Sequence, residues 1–391
     1  MYHVFILVSD ADNSFIKLKP VFLKSFPLSK YNTMNLLFRL LSVFLLSLGL
    51  ASCVKNEPFF RPYSVPAVFK YENTDSSAKA RVIMMHGMQN YLATSVDGAL
   101  SQAIVDSLWA NHGKPFTKTI VPDFVYGDSA LNRMTSVTLL SATGDADSVK
   151  AYADSVVQNS RFYNVAGSNG TAGWKMQTTP VSAKRLFSKD GVAYNEVWAN
   201  AMLGAMALRN VFAQLNSAAA NKTWELAYDY TGFPENYDPD KNYETAPVPK
   251  DRPLSIAGYF SALPNSLNPG AGVYESFRRG KAAVYAGDLR VGSASIGTIY
   301  FNLERALAAA AVIHLDAAVK YTDIAGRLNE LSKAYGLVIA LKYRHAISLL
   351  STEDYWLLRS FFDENFYTLV QDPSHTNINA AMTLLTGIYT M

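Results

Sequence analysis

From residue 296 to residue 348 the apolar residues recur at helical spacing almost without a break. Leu303, Leu307, Ala310 and Leu315 mark one face of an Ala-rich run over 296–321. Ile324, Leu328, Leu331, Tyr335, Val338 and Ile339 mark a second run over 323–348. Side chains three and four apart share one side of a helix, so successive stripes like these must be buried against other helices. The stretch 194–216 repeats the pattern with Trp198, Met202, Leu208, Val211, Phe212 and Leu215. Its Ala201, Gly204, Ala205 and Ala207 are small enough to let a neighbouring helix approach closely.

The same spacing predicts helices over 78–94, 100–112, 129–140, 147–158, 218–228 and 272–286. Ser351, three residues before Asp354, is an N-cap signal for a helix over 355–369, and Pro373-Ser374 opens a last one running to Met391. The stretch 161–180, with Gly167, Gly170 and Gly173, reads as a loop. Strand alternation and βαβ order are nearly absent. The expected fold is all-α, a helical bundle. Between 231 and 269 the helical signal stops. Pro234, Pro239, Pro247, Pro249, Pro253, Pro264 and Pro269 crowd there, interleaved with Tyr237, Tyr243, Tyr259 and Phe260. No long helix survives that density, so a long Pro- and aromatic-rich loop insertion is expected, of a length that is usually functional or covers a core edge.

A lipoprotein signal precedes the bundle. Read from Met34, Arg39 supplies the basic start, 40–50 an apolar run, and Ala51-Ser52-Cys53 a small-residue turn ending in the chain's one cysteine. The run of about 11 residues is short of the roughly 20 that span a bilayer. The expectation is a signal peptide over 34–52, an upstream extension over 1–33, lipidation of Cys53, a tether over 53–64, and a single helical domain over 65–391. A lipidated Cys53 leaves no thiol for catalysis or zinc. The chain carries 35 Lys and Arg against 32 Asp and Glu. The excess lies in the segment to be removed (Lys17, Lys19, Lys24, Lys30 and Arg39 against Asp10 and Asp12), so the mature chain is balanced. A balanced chain with no basic run is a poor nucleic-acid binder.

Catalytic signatures are missing. His86, His112, His314, His345 and His375 make no i, i+4 pair. The 292–297 stretch is one residue too long for a nucleophile elbow and comes after no strand pattern. No phosphate-cradling or dinucleotide fingerprint occurs, and the expectation is a non-enzymatic protein without an intrinsic cofactor. Asp238, Asp240, Asn242 and Glu244 alternate as calcium ligands do, but a central glycine and a closing glutamate are absent, and the plain reading is a polar loop. Trp224, Tyr228, Tyr230 and Phe233 suggest an aromatic platform for haem or a sugar face; Trp224 and Tyr228, at i, i+4, equally suit a staple onto the bundle. Glu225 and Asp229 are like charges at i, i+4, and Lys281 or Arg278 is the expected neutralising cation.

Gly191-Val-Ala-Tyr-Asn-Glu196, Trp224-Glu-Leu-Ala-Tyr-Asp-Tyr-Thr-Gly-Phe-Pro234, Arg279-Gly-Lys-Ala-Ala283 and the helical tail ending at Tyr343 resemble a bacterial lipoprotein family known as domain of unknown function 4856, imelysin-like in character. The likeness covers most of 63–391. It implies a helical-bundle lipoprotein of the outer membrane linked to iron or haem acquisition, with iron or haem as bound ligand; the membrane, through Cys53, and an outer-membrane transporter are the expected partners. Imelysin-like proteins carry a Gly-x-His-x-x-Glu motif; here Ala193 stands at the histidine place between Gly191 and Glu196, and Ser332-Lys333-Ala334 replaces a Ser-Glu-Gly turn. The expected ligand-binding residues, from the motif and from the aromatic and charged spacing together, are Glu196, Trp224, Glu225, Tyr228, Tyr230 and Lys281, with no metal ligand set. Two other readings remain open: a glycan-binding lipoprotein of an outer-membrane uptake system, and a degenerate imelysin-like scaffold that binds a protein partner.

Overall fold

The computed structural model describes residues 4–8, 17–21, 60–72, 75–121, 136–216, 223–234, 236–241, 243 and 252–391. Met34, the signal segment, Cys53, Asn242, Glu244, Pro247, Pro249 and parts of the expected helices 129–140 and 218–228 lie outside these residues. The chain divides into two units, Met1–Pro58 and Phe59–Met391. In the first, β1 (Val4–Val8) and β2 (Lys17–Val21) pair antiparallel, with Val4 opposite Val21.

The second unit is built almost wholly of helices, as the periodicity predicts. In chain order they are α1 (Ser77–Ala93), α2 (Gln102–Ala110), α3 (Leu139–Ala142), α4 (Ala146–Ser160), α5 (Tyr194–Met202), α6 (Arg209–Asn216) and α7 (Thr223–Thr231). Then come α8 (Gly270–Ala286), α9 (Leu289–Lys320), α10 (Ile324–Ala340), α11 (Thr352–Ser360), α12 (Phe366–Gln371) and α13 (Thr376–Tyr389). The 32-residue α9 is the axis of the bundle and runs about 48 Å at 1.5 Å per residue. It packs along α8 and α10 and receives α13; α10 packs in turn on α5, and α5 on α4. α9 is long and apolar enough to cross a membrane, but more than half of its apolar window is buried in the protein, as in a core helix. Its Glu304 is buried and accepts hydrogen bonds from Tyr389, at 2.5 Å, and from Ser348, tying the C-terminal helix and the 344–351 turn to it.

Backbone-to-backbone approach decides the crossing of α5 and α10. Between α5 and α6 the helix widens into a π-helical stretch, Leu203–Leu208. A Cβ on Gly204 would overlap the backbone of Ala340, and one on Gly336 would lie 2.7 Å from the Val197 carbonyl oxygen. Both glycines are required because nothing larger fits where these helices touch.

The structure corrects three boundaries. The glycine-rich 161–180 stretch is not simply a loop: β3 (Gly173–Gln177) pairs with β4 (Ala183–Phe187), with Trp174 opposite Leu186. Its glycines serve a close turn, since a Cβ on Gly167 would sit 2.7 Å from the Gly173 carbonyl oxygen. The 323–348 helix stops at Ala340, where a single 3₁₀ turn, Leu341–Tyr343, takes over. Arg344 then closes a turn by donating from Nε to the Leu350 carbonyl at 2.6 Å. The 355–369 helix is broken into α11 and α12. Ser351 is the N-cap of α11, its hydroxyl accepting from the Asp354 N–H.

Gly204→Ala is expected to cost about 2 kcal/mol or more through overpacking. Gly297→Ala, in α9 with open space around its Cβ position, should instead stabilise by about 0.5–1 kcal/mol. Denaturant midpoints of the two variants check both signs.

Candidate functional site

Trp224, Tyr228 and Tyr230 are fully buried, so no open aromatic face is presented by α7. The physical reason is a strap. Residues 60–72 run across α7 and α8 and cover the face on which a platform would stand. Phe69 stacks on Tyr228 with ring centroids 4.0 Å apart, and Tyr228 stacks in turn on Phe233. Trp224 lies against Gly280 of α8, where any side chain would displace the indole. Tyr230 accepts a hydrogen bond from Arg81 at 2.8 Å. The i, i+4 pair is therefore a staple.

The charged residues of α7 hold the strap. Glu225 and Lys281 form a buried ion pair at 2.6 Å, with side chains 2% and 7% exposed, so the expected cation partner is Lys281. Glu225 also accepts from the Glu72 backbone N–H at 2.6 Å, and Lys281 donates to the Lys70 carbonyl. Arg278 donates to the Pro66 and Ala67 carbonyls. Asp229, one turn on, accepts from the Tyr71 hydroxyl at 2.6 Å. Burial pushes the Asp229 carboxyl up to about 6, against the hydrogen bond from Tyr71. These residues bind the chain to itself and leave little for a ligand.

The other end of the same signature shapes an opening. Gly232, at φ +83°, has no room for a Cβ because the Leu254 backbone lies against it, and the Leu254 N–H donates to the Gly232 carbonyl at 2.8 Å. That contact places a 3₁₀ helix, Ser255–Ala262, as one wall of a cleft whose other walls are α1 and α5. The cleft holds about 260 Å³. Its apolar lining comes from Met85, Leu203, Pro253 and Leu254; its polar groups are His86, Gln89, Asn200, Ser255 and Tyr259. Among the described residues no carboxylate, amine or guanidinium lines it. The Ser255 hydroxyl is buried without a hydrogen-bond partner, on a residue held at φ +52°.

Behind the cleft stands a polar network. The Tyr259 hydroxyl donates to the Asn200 side-chain Oδ1, and the Asn200 Nδ2 donates to the Glu196 backbone carbonyl at 2.8 Å. Tyr259 also lies edge-on to His314, whose Nδ1 is 2.5 Å from Glu330. Burial pushes Glu330 up, but the His314 hydrogen bond and the charge of Lys333, 2.8 Å away, outweigh it and hold the carboxyl at about 2. Burial raises the Tyr259 hydroxyl, and the charges of Glu196 and Glu330 raise it further. Glu196, in the first turn of α5, is 3.6 Å from Arg185. At the place of the motif histidine, the Ala193 N–H instead donates to the buried Ser332 hydroxyl at 2.9 Å. Among the described residues no three His, Cys, Asp or Glu side chains are grouped to hold a metal ion.

A second hollow of about 420 Å³ is lined by Lys342, Arg344, His345 and the exposed Trp356. Its cations are committed: Lys342 to Asp145 at 2.6 Å, Arg344 to the Leu341, Leu350 and Ser351 carbonyls.

Of the expected residues, the structure brings Trp224, Glu225, Tyr228 and Lys281 together in the strap-binding core. Tyr230 is on its margin, Glu196 is near the cleft, and Cys53 lies outside the described residues. Met85, His86, Gln89, Asn200 and Ser255 were not signalled. The one available hint was Tyr259, interleaved with the prolines of the insertion. A family model described as Domain of unknown function (DUF4856) matches residues 129–365. No curated protein and no solved structure matches the chain.

The buried charges set the expected behaviour of three variants. Lys281→Met takes the cation away from the buried Glu225 carboxylate and should cost about 3–5 kcal/mol; adding Glu225→Gln should recover part of that, as read from denaturant midpoints. Asp229 has a raised carboxyl, so its stabilising share is full below the ordinary carboxylate range and is lost as pH rises through about 6. Wild type should therefore gain on the order of 2 kcal/mol between pH 7.5 and pH 4.5 relative to Asp229→Asn. Glu330 acts with the opposite sign. Its share is present above the ordinary range and is lost as pH falls through about 2, so Glu330→Gln should flatten only the acid limb.

Proposed function

The chain belongs to the family described as Domain of unknown function (DUF4856), and on that footing we propose that it is a non-enzymatic, lipid-anchored binding protein of the bacterial envelope. It captures a small ligand in the cleft between α1, α5 and the 3₁₀ helix, in the service of nutrient uptake. Cys53 is its lipid attachment and an outer-membrane transporter its partner.

The observation that carries this reading is the cleft. It is concave, walled by apolar side chains, and converged on by a few polar groups carried on helices rather than on loose loops. The strap supports the anchoring half. Residues 60–72 enter the domain as a pinned segment, which is what a domain held by its N-terminal side requires. Iron or haem is the ligand that the family resemblance suggests, and His314, Glu330 and Glu196 lie close behind Tyr259. A neutral glycan is the second reading, favoured by the uncharged lining. A protein partner alone is the third.

The test is a thermal-shift panel on wild type, Ala199→Trp and Gly258→Phe, with ferric iron, haem and neutral oligosaccharides. Both substitutions fill the cleft from different walls. A ligand at 100 times its Kd should stabilise wild type by about 2.7 kcal/mol, and neither filled variant should respond. A shift that survives both substitutions moves the site elsewhere. No shift with any ligand, together with cross-linking to an envelope protein, replaces this reading with that of the partner-binding scaffold.

A further inference from the structure

We infer that the ligand of the α1–α5 cleft is an uncharged, polyhydroxylated molecule about the size of one sugar ring; this rests on the reading of the cleft as a binding site.

Charge is the first argument. Among the described residues no Asp, Glu, Lys or Arg side chain lines the cleft. An ionised ligand would leave water with no counter-charge to receive it, and a buried charge without a partner is heavily penalised. A phosphate, a free amino acid or the propionates of haem meet that penalty. A neutral molecule does not.

Hydrogen-bonding character is the second. Gln89, Asn200, Ser255, Tyr259 and His86 each carry groups that can both donate and accept. A ligand hydroxyl does the same, so Gln89 or Ser255 can match it in either sense, while Tyr259, whose proton goes to Asn200, can only accept. The Ser255 hydroxyl is the sharpest case. It is buried with no partner, a state that costs about 1–3 kcal/mol, and its backbone is held in the left-handed region, uncommon for a residue other than glycine. A ligand hydroxyl at this point would complete it.

Shape is the third. Met85, Leu203, Pro253 and Leu254 give an apolar wall opposite the polar groups, suited to the C–H face that a sugar ring presents. The volume of about 260 Å³ falls just short of the range of about 300–1,000 Å³ typical of drug-sized ligands, which indicates one ring rather than several. Gln89 and Gly258 are exposed, so the cleft opens to solvent between α1 and the 3₁₀ helix, and a longer chain could extend outward there.

The experiment is titration calorimetry on the full chain with neutral monosaccharides and disaccharides, and with a uronic acid and a protonated amino sugar of the same ring. The neutral sugars should bind, the charged analogues should be at least about tenfold weaker, and 0.5 M salt should leave the neutral affinity unchanged. Ser255→Ala should weaken the neutral sugar about tenfold while leaving the unfolding midpoint of the ligand-free protein at or above that of wild type, because it removes a buried hydroxyl that has no partner. Charged analogues binding as tightly as neutral ones would overturn the inference. So would binding of iron or an amino acid that Ala199→Trp abolishes, although the cleft would then still be the site. Absence of any binding that the filled variants remove would overturn the cleft reading as well.

Discussion

The buried ion pair between Glu225 and Lys281 is the contact on which the arrangement around α7 depends. Two opposite charges at 2.6 Å in the interior are costly to desolvate and stable only when their remaining hydrogen-bonding capacity is filled. Here it is filled by the strap, through the Glu72 N–H and the Lys70 carbonyl. The pair joins α7 to α8, and the strap completes the pair. Phe69 is thereby seated on Tyr228, and the aromatic layer from Phe69 through Tyr228 to Phe233 closes over the core. At the end of the same layer Gly232 turns the chain and admits the Leu254 backbone. A charge clamp at the start of α7 and a glycine just past its end thus set where the cleft wall stands.

The opposite wall is set by close helix packing. Asn200 and Leu203 face the cleft from α5 just before and at the start of the π-helical stretch, and Gly204 within it presses on Ala340. A π-helical stretch adds one residue to the turn and rotates the residues beyond it about the helix axis. It allows the helix to present Asn200 toward Tyr259 while the next residues continue into the contact with α10. Asn200 is fixed from two directions, by the Tyr259 hydroxyl and the Glu196 carbonyl, so the floor of the cleft is preorganised.

Helical periodicity was legible wherever an amphipathic stripe packs on neighbours close in sequence, as in 194–216 and 296–348. Ser351 as an N-cap and Gly204 as a close-approach residue were legible because each acts through local geometry or small size. The β3–β4 ladder was not, since glycines at a tight turn and glycines in a loop look the same. The role of α7 was half legible. The i, i+4 spacing of Trp224 and Tyr228 suits a staple, and Lys281 was an expected partner for the acidic pair. What covers the aromatic face could not be read, because the covering residues, Phe69 and Tyr71, lie more than 150 positions earlier. The cleft was illegible for the same reason. Gln89, Asn200 and Ser255 come from three distant segments, and none carries a motif.

The strap has a consequence for the order of assembly. Chains leave the ribosome N-terminus first, whereas the partners of residues 60–72 lie on α7, on α8 and at the N-cap of α9, 153 to 225 positions later. Contacts of such separation close late, after the local helical pairs have offset the entropy of loop closure. Phe69 and Tyr71 must therefore wait, unburied, until α7 and α8 are in place. During that interval the segment is an adhesive, apolar thread with no groove to occupy. Its docking follows the pairing of α7 with α8, which makes the strap a latch over the face those two helices form together.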